Sequence, residues 1–205
     1  MTKTLPQFVF IHIPKTGGGT FHKLIKNIYQ EHYIQGIPKN KQIAQFNVIL
    51  GHFSYDKAIK CGLGARSFIT WVRDPIERVI SHYFWAFYTE NTKYVNIGPS
   101  QIKKFKNKIG ITEFARIIPN QMTTYMGNDI SKYTFIGVQE FYTDSLKRFQ
   151  DVFNLSLPTS YPNYNIGINK QKVSDSDKEI IRSYNKQDYI LYNLILEHLN
   201  YRGVK

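Results

Sequence analysis

Three side chains able to carry chemistry, Lys15, His52 and Arg73, each stand directly after a short apolar run. The first run and its turn read FVFIHIPKTGGGTF over Phe8–Phe21. Its Phe, Val and Ile residues fit a strand covered on both faces. Gly17, Gly18 and Gly19 permit backbone conformations closed to other residues and let a ligand come close. A helix opening beyond them points unpaired N–H groups, and the positive end of its dipole, at the turn. That is an anion site, and Lys15 adds a full charge inside it.

The elements that must position these residues follow in order. Phe8–Ile13 is the first strand, and Thr20–His32 the helix after the turn, with Phe21, Leu24, Ile25 and Ile28 on one face. Ile37–Gln45 reads as loop or short helix. Asn47–His52 is the second strand, Ser54–Lys60 a helical turn, and Arg66–Val72 the third strand. Asp74-Pro75 opens an aromatic-rich helix to about Phe87, since proline suits the first helical position. Asn91–Gly110 is lysine-rich and weakly patterned, and its second half, QIKKFKNKIG, reads as a solvated helix or a mobile loop. Two short helices divided at Pro119 fill Ile111–Gly127, Tyr133–Val138 is a fourth strand, and Phe141–Phe153 is helical. A long loop covers Leu157–Val173. Ser174 is a fitting N-cap with Asp175 and Asp177 in the first turn, and a last helix runs over about Lys186–Leu199.

Strands alternating with helices imply an α/β fold whose central parallel sheet has right-handed crossovers and helices on its faces. Ligands in such folds sit beyond the carboxyl ends of the strands. Lys15, His52 and Arg73 all fall there.

The 205 residues suit one domain, expected to span 1–205. With 27 basic against 15 acidic residues the net charge is +12 and the pI about 9.6, which favours a polyanionic or nucleotide partner. Cys61 is the only cysteine, so no internal disulfide forms and a free thiol is expected. No stretch reaches the length of a membrane span and no long apolar leader precedes the first strand, which makes a soluble, cytoplasmic protein the expectation.

The turn is not a Walker A box, because its lysine precedes the glycines: PKTGGGT. This order, with RDPIERVIS after a later strand, resembles the sulfotransferases that use 3′-phosphoadenosine 5′-phosphosulfate (PAPS). The likeness is closest to the carbohydrate branch, particularly the uronosyl (heparan and dermatan type) 2-O-sulfotransferases. The matching pieces, HIPKTGGGTF, ILGHFSY, FITWVRDPIERVISHYF and FIGVQEFYTDSLKRF, occur in the family's order across most of Phe8–Phe149. The resemblance implies a P-loop-like sulfotransferase architecture and transfer of a sulfuryl group from PAPS to a hydroxylated acceptor, with PAP (3′-phosphoadenosine 5′-phosphate) as product and no metal required.

By the same resemblance, Lys15, Thr16, Gly17, Gly18, Gly19 and Thr20 would cradle the 5′-phosphosulfate. Lys15 would stabilise the leaving oxygen, and Arg73 and Ser81 would hold the 3′-phosphate. His52, in the GHxSY-like ILGHFSY, would be the base that takes the acceptor proton. Ile168, Asn169, Lys170 and Lys172 fall where the family closes a loop over the nucleotide. His12 reads as a structural hydrogen bonder, Arg78 as a brace on Asp74 or a neighbouring loop, and His82 as a candidate to line the cleft. Asn120-Gln121 is either a cleft motif or a helix cap. The aromatics of Tyr83–Tyr88 read mainly as core, and Lys103–Lys108 as a solvated face or a contact for an acidic glycan.

Asn91–Gly127, where the acceptor would bind, matches the family poorly. The acceptor is therefore a carbohydrate or another hydroxylated compound, an acidic glycan among the candidates, and the oligomeric state is open. Two other classes compete. A nucleotide-dependent kinase would want a lysine after the glycines and a metal-binding carboxylate. A basic nucleic-acid-binding module fits the charge, but no zinc-finger, helix-turn-helix or RRM signature is present and nucleic acid is not an expected partner. An inactive nucleotide binder on the same fold is a further reading, opposed by the presence of both Lys15 and His52.

Overall fold

The computed structural model describes residues 5–88, 94–99, 101–105, 107–158 and 172–201. Five strands form its central sheet: β1 (Phe8–Ile11), β2 (Tyr33–Gln35), β3 (Val48–Gly51), β4 (Ser67–Val72), and Phe135–Val138, which becomes β7 once a separate hairpin is counted. The hairpin pairs β5 (Tyr94–Gly98) with β6 (Gln101–Lys104), antiparallel. The sheet order is β2-β3-β1-β4-β7, and every pair is parallel. β1 is the central strand, so the loop leaving it emerges mid-edge with the ends of β3 and β4 on either side.

Alternation along the strands sorts the side chains to two buried faces. Phe8 and Phe10 of β1, Val48 and Leu50 of β3, and Ile69 and Trp71 of β4 meet α1 (Gly18–Tyr29) and α6 (Tyr142–Phe153) on one face. Val9, Ile11, Ile49, Phe68, Val72, Ile136 and Val138 line the other. That face is covered by α2 (Tyr55–Lys60), α5 (Gln121–Met126) and α8 (Lys186–His198). A third cluster joins α3 (Pro75–Tyr88), α4 (Ile111–Ile117), α7 (Asp175–Tyr184), Val95 of the hairpin and Phe105 just after it.

Four of the strands lie where the apolar runs put them. β2 falls in the gap between the expected helix Thr20–His32 and the expected loop Ile37–Gln45, and the helix stops earlier, at Tyr29. Its three residues form a partly exposed edge, too short to show a period. The segment QIKKFKNKIG, expected as a solvated helix or loop, begins with β6, which pairs with β5 just before it, a correction. Buried Val95 contributes to the third cluster, while Lys103 and Lys104 stay exposed, so the lysines solvate an element whose inner face is apolar.

Gly137 sits in register beside Trp71. A Cβ there would meet the indole at 2.5 Å. Trp71 is fully buried and packed against Phe21 and Tyr142, so it has nowhere to go. Gly137→Ala is therefore expected to cost about 1–3 kcal/mol in a urea unfolding series, the range for overpacked cores. An unchanged midpoint would contradict the packing at this position.

Candidate active site

The loop from β1 to α1 is held from two sides. His52, just after β3, places Nδ1 2.6 Å from the His12 carbonyl oxygen. Arg73, just after β4, places a terminal guanidinium nitrogen 3.5 Å from the Lys15 carbonyl oxygen. Neighbouring strands thus bring both residues to one short loop. The His12 carbonyl can only accept, so Nδ1 of His52 carries the proton and Nε2 keeps its lone pair.

The loop itself is locally specified. Thr16 is fully buried and donates its hydroxyl to the Ile13 carbonyl at 2.9 Å. Lys15 (φ 68°) and Gly17 (φ 85°) both take left-handed backbone conformations. At Gly17 a Cβ would lie 1.5 Å from the Gln139 amide oxygen, so glycine fits both the dihedral and the close approach. Gly17 caps α1 without a side-chain bond, and no acidic residue stands in the first turn. The dipole end at Gly18, Gly19 and Thr20 therefore carries no acidic residue of its own turn.

Arg73 is 18% exposed; one terminal nitrogen lies 3.3 Å from Glu77 of α3, and its buried Nε has no hydrogen-bond partner among the described residues. The helix-carboxylate pairing is thus present, and Asp74 is not its partner. Asp74 instead accepts from the Glu77 N–H as the helix cap. Glu140 accepts from the Asp74 N–H at 3.0 Å and from the Tyr192 hydroxyl at 2.8 Å, which ties the Arg73 turn to α8. Ser81 is half-buried on α3. Lys15 Nζ stands 5.4 Å from the centre of the Trp85 ring, one turn beyond Ser81. Lys172 is exposed, and Ile168, Asn169 and Lys170 lie outside the described residues.

Behind this front lies a buried polar layer. Arg78 and His82, one helical turn apart on α3, are both fully buried. Neither the Arg78 guanidinium nor the His82 ring has a hydrogen-bond partner among the described residues. Burial pushes Arg78 down to about 10, opposed chiefly by Asp188. Arg78 braces no Asp74 carboxylate, against the expectation; its electrostatic partner is Asp188. Asn120 and Gln121 form a bolt rather than a cleft motif. Asn120 accepts from the Gln187 and Asp188 N–H groups, and Asn185 and Asp188 accept in return from the N–H groups of Asn120, Met122 and Thr123. Gln121 reaches the Ile97 carbonyl of the hairpin at 3.5 Å.

Four histidines surround the loop region at lowered pKa. For His52, burial lowers it against the opposing pull of the His12 carbonyl. His12 stacks on His52 at 4.5 Å and is held well down by burial, then by His52, His22 and Lys15. His22, bonded to the Tyr33 hydroxyl, is lowered mainly by burial and Lys26, and His82 by burial, Arg78, Lys15 and His52. Their ordinary value is near 6.5. Their stabilising contribution is therefore complete above about pH 6.5 and is lost as pH falls, by about 1.4 kcal/mol per pH unit for each proton taken up only on unfolding. Burial raises Asp188, which acts in the opposite sense: its contribution is complete below its ordinary value and is lost as pH rises through the folded one. Urea midpoints at pH 7.5, 6.5 and 5.5 should fall in that order, and the slope should flatten in His82→Phe. A flat wild-type series would contradict this.

Gln139 and Glu140 were missed in the sequence, although a signal existed. They follow the fourth strand as Lys15, His52 and Arg73 follow the first three. Cys61 is a half-buried free thiol, as expected. Among the described residues no helix is long and apolar enough to cross a membrane, and no group of His, Cys, Asp or Glu could hold a metal ion.

The fold is an α/β one whose central parallel strand runs into a glycine turn and a helix N-terminus at the carboxyl edge of the sheet. The chain belongs to the sulfotransferase family: the family model Sulfotransfer_2, described as Sulfotransferase family, matches residues 1–195. Among solved structures it is similar to mouse sulfotransferase SULT7A1 complexed with PAP, at 14% identity and a TM-score of 0.48, over 90% of this chain and 66% of that one. The chain thus spans just under two thirds of that protein's length. No curated protein matches the sequence.

Proposed function

We propose that the protein transfers a sulfuryl group from PAPS to a hydroxyl of a carbohydrate acceptor. The observation that carries this reading is the double hold on the β1–α1 loop, with His52 on the His12 carbonyl and Arg73 on the Lys15 carbonyl. Membership of the sulfotransferase family supports the donor class. The residues present fit a phosphosulfate: the first turn of α1 carries no acidic residue, and two cationic side chains, Lys15 in the loop and Arg73 against its carbonyl, stand at that turn, with Arg73 placed between Glu77 and Glu140.

In this mechanism the backbone of Gly17, Gly18, Gly19 and Thr20, with Lys15 and Thr16, holds the 5′-phosphosulfate. Arg73 and Ser81 hold the 3′-phosphate, a task suited to the arginine fork. By the family resemblance, Ile168, Asn169, Lys170 and Lys172 would contact the nucleotide. His52 takes the acceptor proton on Nε2 as the hydroxyl oxygen bonds to sulfur. Lys15 stabilises the charge left on the bridging oxygen as the sulfur–oxygen bond to the phosphate breaks. Positioning and charge stabilisation supply most of the rate. The lowered pKa of His52 keeps it an unprotonated base at neutral pH.

Incubation with sulfur-labelled PAPS and a panel of glycans and glycosides tests the reaction. Label should appear on a saccharide at a rate that Arg73→Ala cuts by about tenfold or more through lost donor affinity. Label on no member of the panel, with PAPS intact, would refute a carbohydrate acceptor.

A further inference from the structure

A cleft of about 560 Å3 opens between the ends of β2 and β3 and the helix α2. His52 is part of its wall, beside Gly36, Lys39, Phe53, Lys57 and Cys61. Gly51, also in the wall, leaves room where a Cβ would meet the Phe53 ring at 2.7 Å, so that ring packs tightly against the end of β3. We infer that this cleft, and not the Asn91–Gly127 region, holds the acceptor, and that it takes a small glycoside bearing an acidic group rather than the interior of a polymer. The inference rests on the sulfotransferase reading of His52.

Three observations carry it. First, the cleft reaches the base. His52 commits Nδ1 to the His12 carbonyl, and its ring lines the cavity wall. Second, several described residues of the alternative region are engaged in internal bonds. Asn120 caps α8, Gln121 and Tyr125 reach the hairpin carbonyls of Ile97 and Gly98, and Tyr83 donates to Ile109. Third, size and charge select the ligand. The volume lies in the range of pockets that enclose a compact ligand. Lys39 and Lys57 stand in the wall with no Asp or Glu among its residues, so the wall is net positive and complements an anion. Half-buried Ile37 supplies an apolar patch in the wall, over a core that includes Phe53.

Cys61 makes the cleft addressable, because it is the chain's only thiol and lies in the wall. The probes are p-nitrophenyl β-D-glucuronide, its neutral glucoside counterpart and the unsulfated polymer heparosan, each offered with sulfur-labelled PAPS. Glucuronide should exceed glucoside in kcat/KM by about tenfold, the worth of a charge-assisted contact, and heparosan should be the poorest. Lys39→Glu with Lys57→Glu should abolish the preference. Sulfonatoethyl methanethiosulfonate on Cys61 should stop transfer to the glucuronide, while Cys61→Ser should ignore the reagent. PAP affinity, read by calorimetry in every sample, should stay within about twofold and serves as the folding control.

A protein that binds PAP but takes glucoside and glucuronide equally, sulfates only the polymer, sulfates none of the three, or ignores the Cys61 adduct overturns the inference. Failure to bind PAP would instead remove the sulfotransferase reading on which it stands.

Discussion

His52→Ala lowers kcat by about 10²–10⁴, the span of general-base catalysis, and leaves PAP affinity within about twofold. The split follows from geometry. His52 meets the loop at His12, through its carbonyl and a ring stack, whereas the groups proposed to hold phosphate, the glycine amides, Lys15 and Arg73, lie on other residues. Loss of the ring removes the proton acceptor while the nucleotide site stays assembled. The same residue sets the acid limb of kcat/KM. The base works unprotonated, and burial lowers its pKa, so the limb lies below the ordinary 6.5 and activity persists at pH values where a solvated imidazole would be protonated. In His52→Ala that limb disappears from the residual rate. A variant that kept near-normal turnover with PAP bound would remove His52 from the mechanism.

Lys15→Met lowers kcat by about 10²–10³, the cost of deleting one donor at a developing oxyanion. This loss differs in kind from that at His52. In the proposed mechanism the ammonium belongs to the cradle, so it would contribute to holding the donor as well as to the transition state, and PAPS affinity falls with kcat. The side chain leaves a left-handed loop position beside Trp85, which fixes the direction of its approach. Lys15→Arg keeps the charge but not the compact geometry, and recovers binding more fully than turnover. If Lys15→Met weakened PAP binding and left kcat intact, the residue would be a binding group only.

How much of this was legible in the sequence depends on where each residue stands. Four of the strands of the sheet announce themselves as apolar runs, because a parallel strand covered on both faces needs no polar alternation. Lys15, His52 and Arg73 could be picked out because parallel strands deliver their following residues to one edge. Gln139 and Glu140 obeyed the same rule and were passed over, since amide and carboxylate at a strand end look like ordinary solvated residues. β2 left no trace because three residues carry no period. The hairpin was hidden by Lys103 and Lys104, which solvate one face while Val95 serves the other. Arg78 and His82 were least legible. A charged and a polar residue one turn apart on a helix suggest a wet face, and only the packing of α4, α7 and α8 around α3 buries them. The reciprocal capping of α5 and α8 by Asn120, Asn185 and Asp188 likewise joins residues some 65 positions apart, which no local pattern encodes.

The central claim is that the loop, Arg73 and Ser81 form a site for a 3′-phosphorylated nucleotide. Calorimetric titration with PAP, and with AMP and ATP in the same salt, tests it most directly. The account predicts that PAP binds more tightly than AMP by about two orders of magnitude, through charge-assisted bonds to the 3′-phosphate, and that Arg73→Ala erases most of the difference. Equal affinity for PAP and AMP, or tighter binding of ATP, would contradict it and return the kinase reading to consideration.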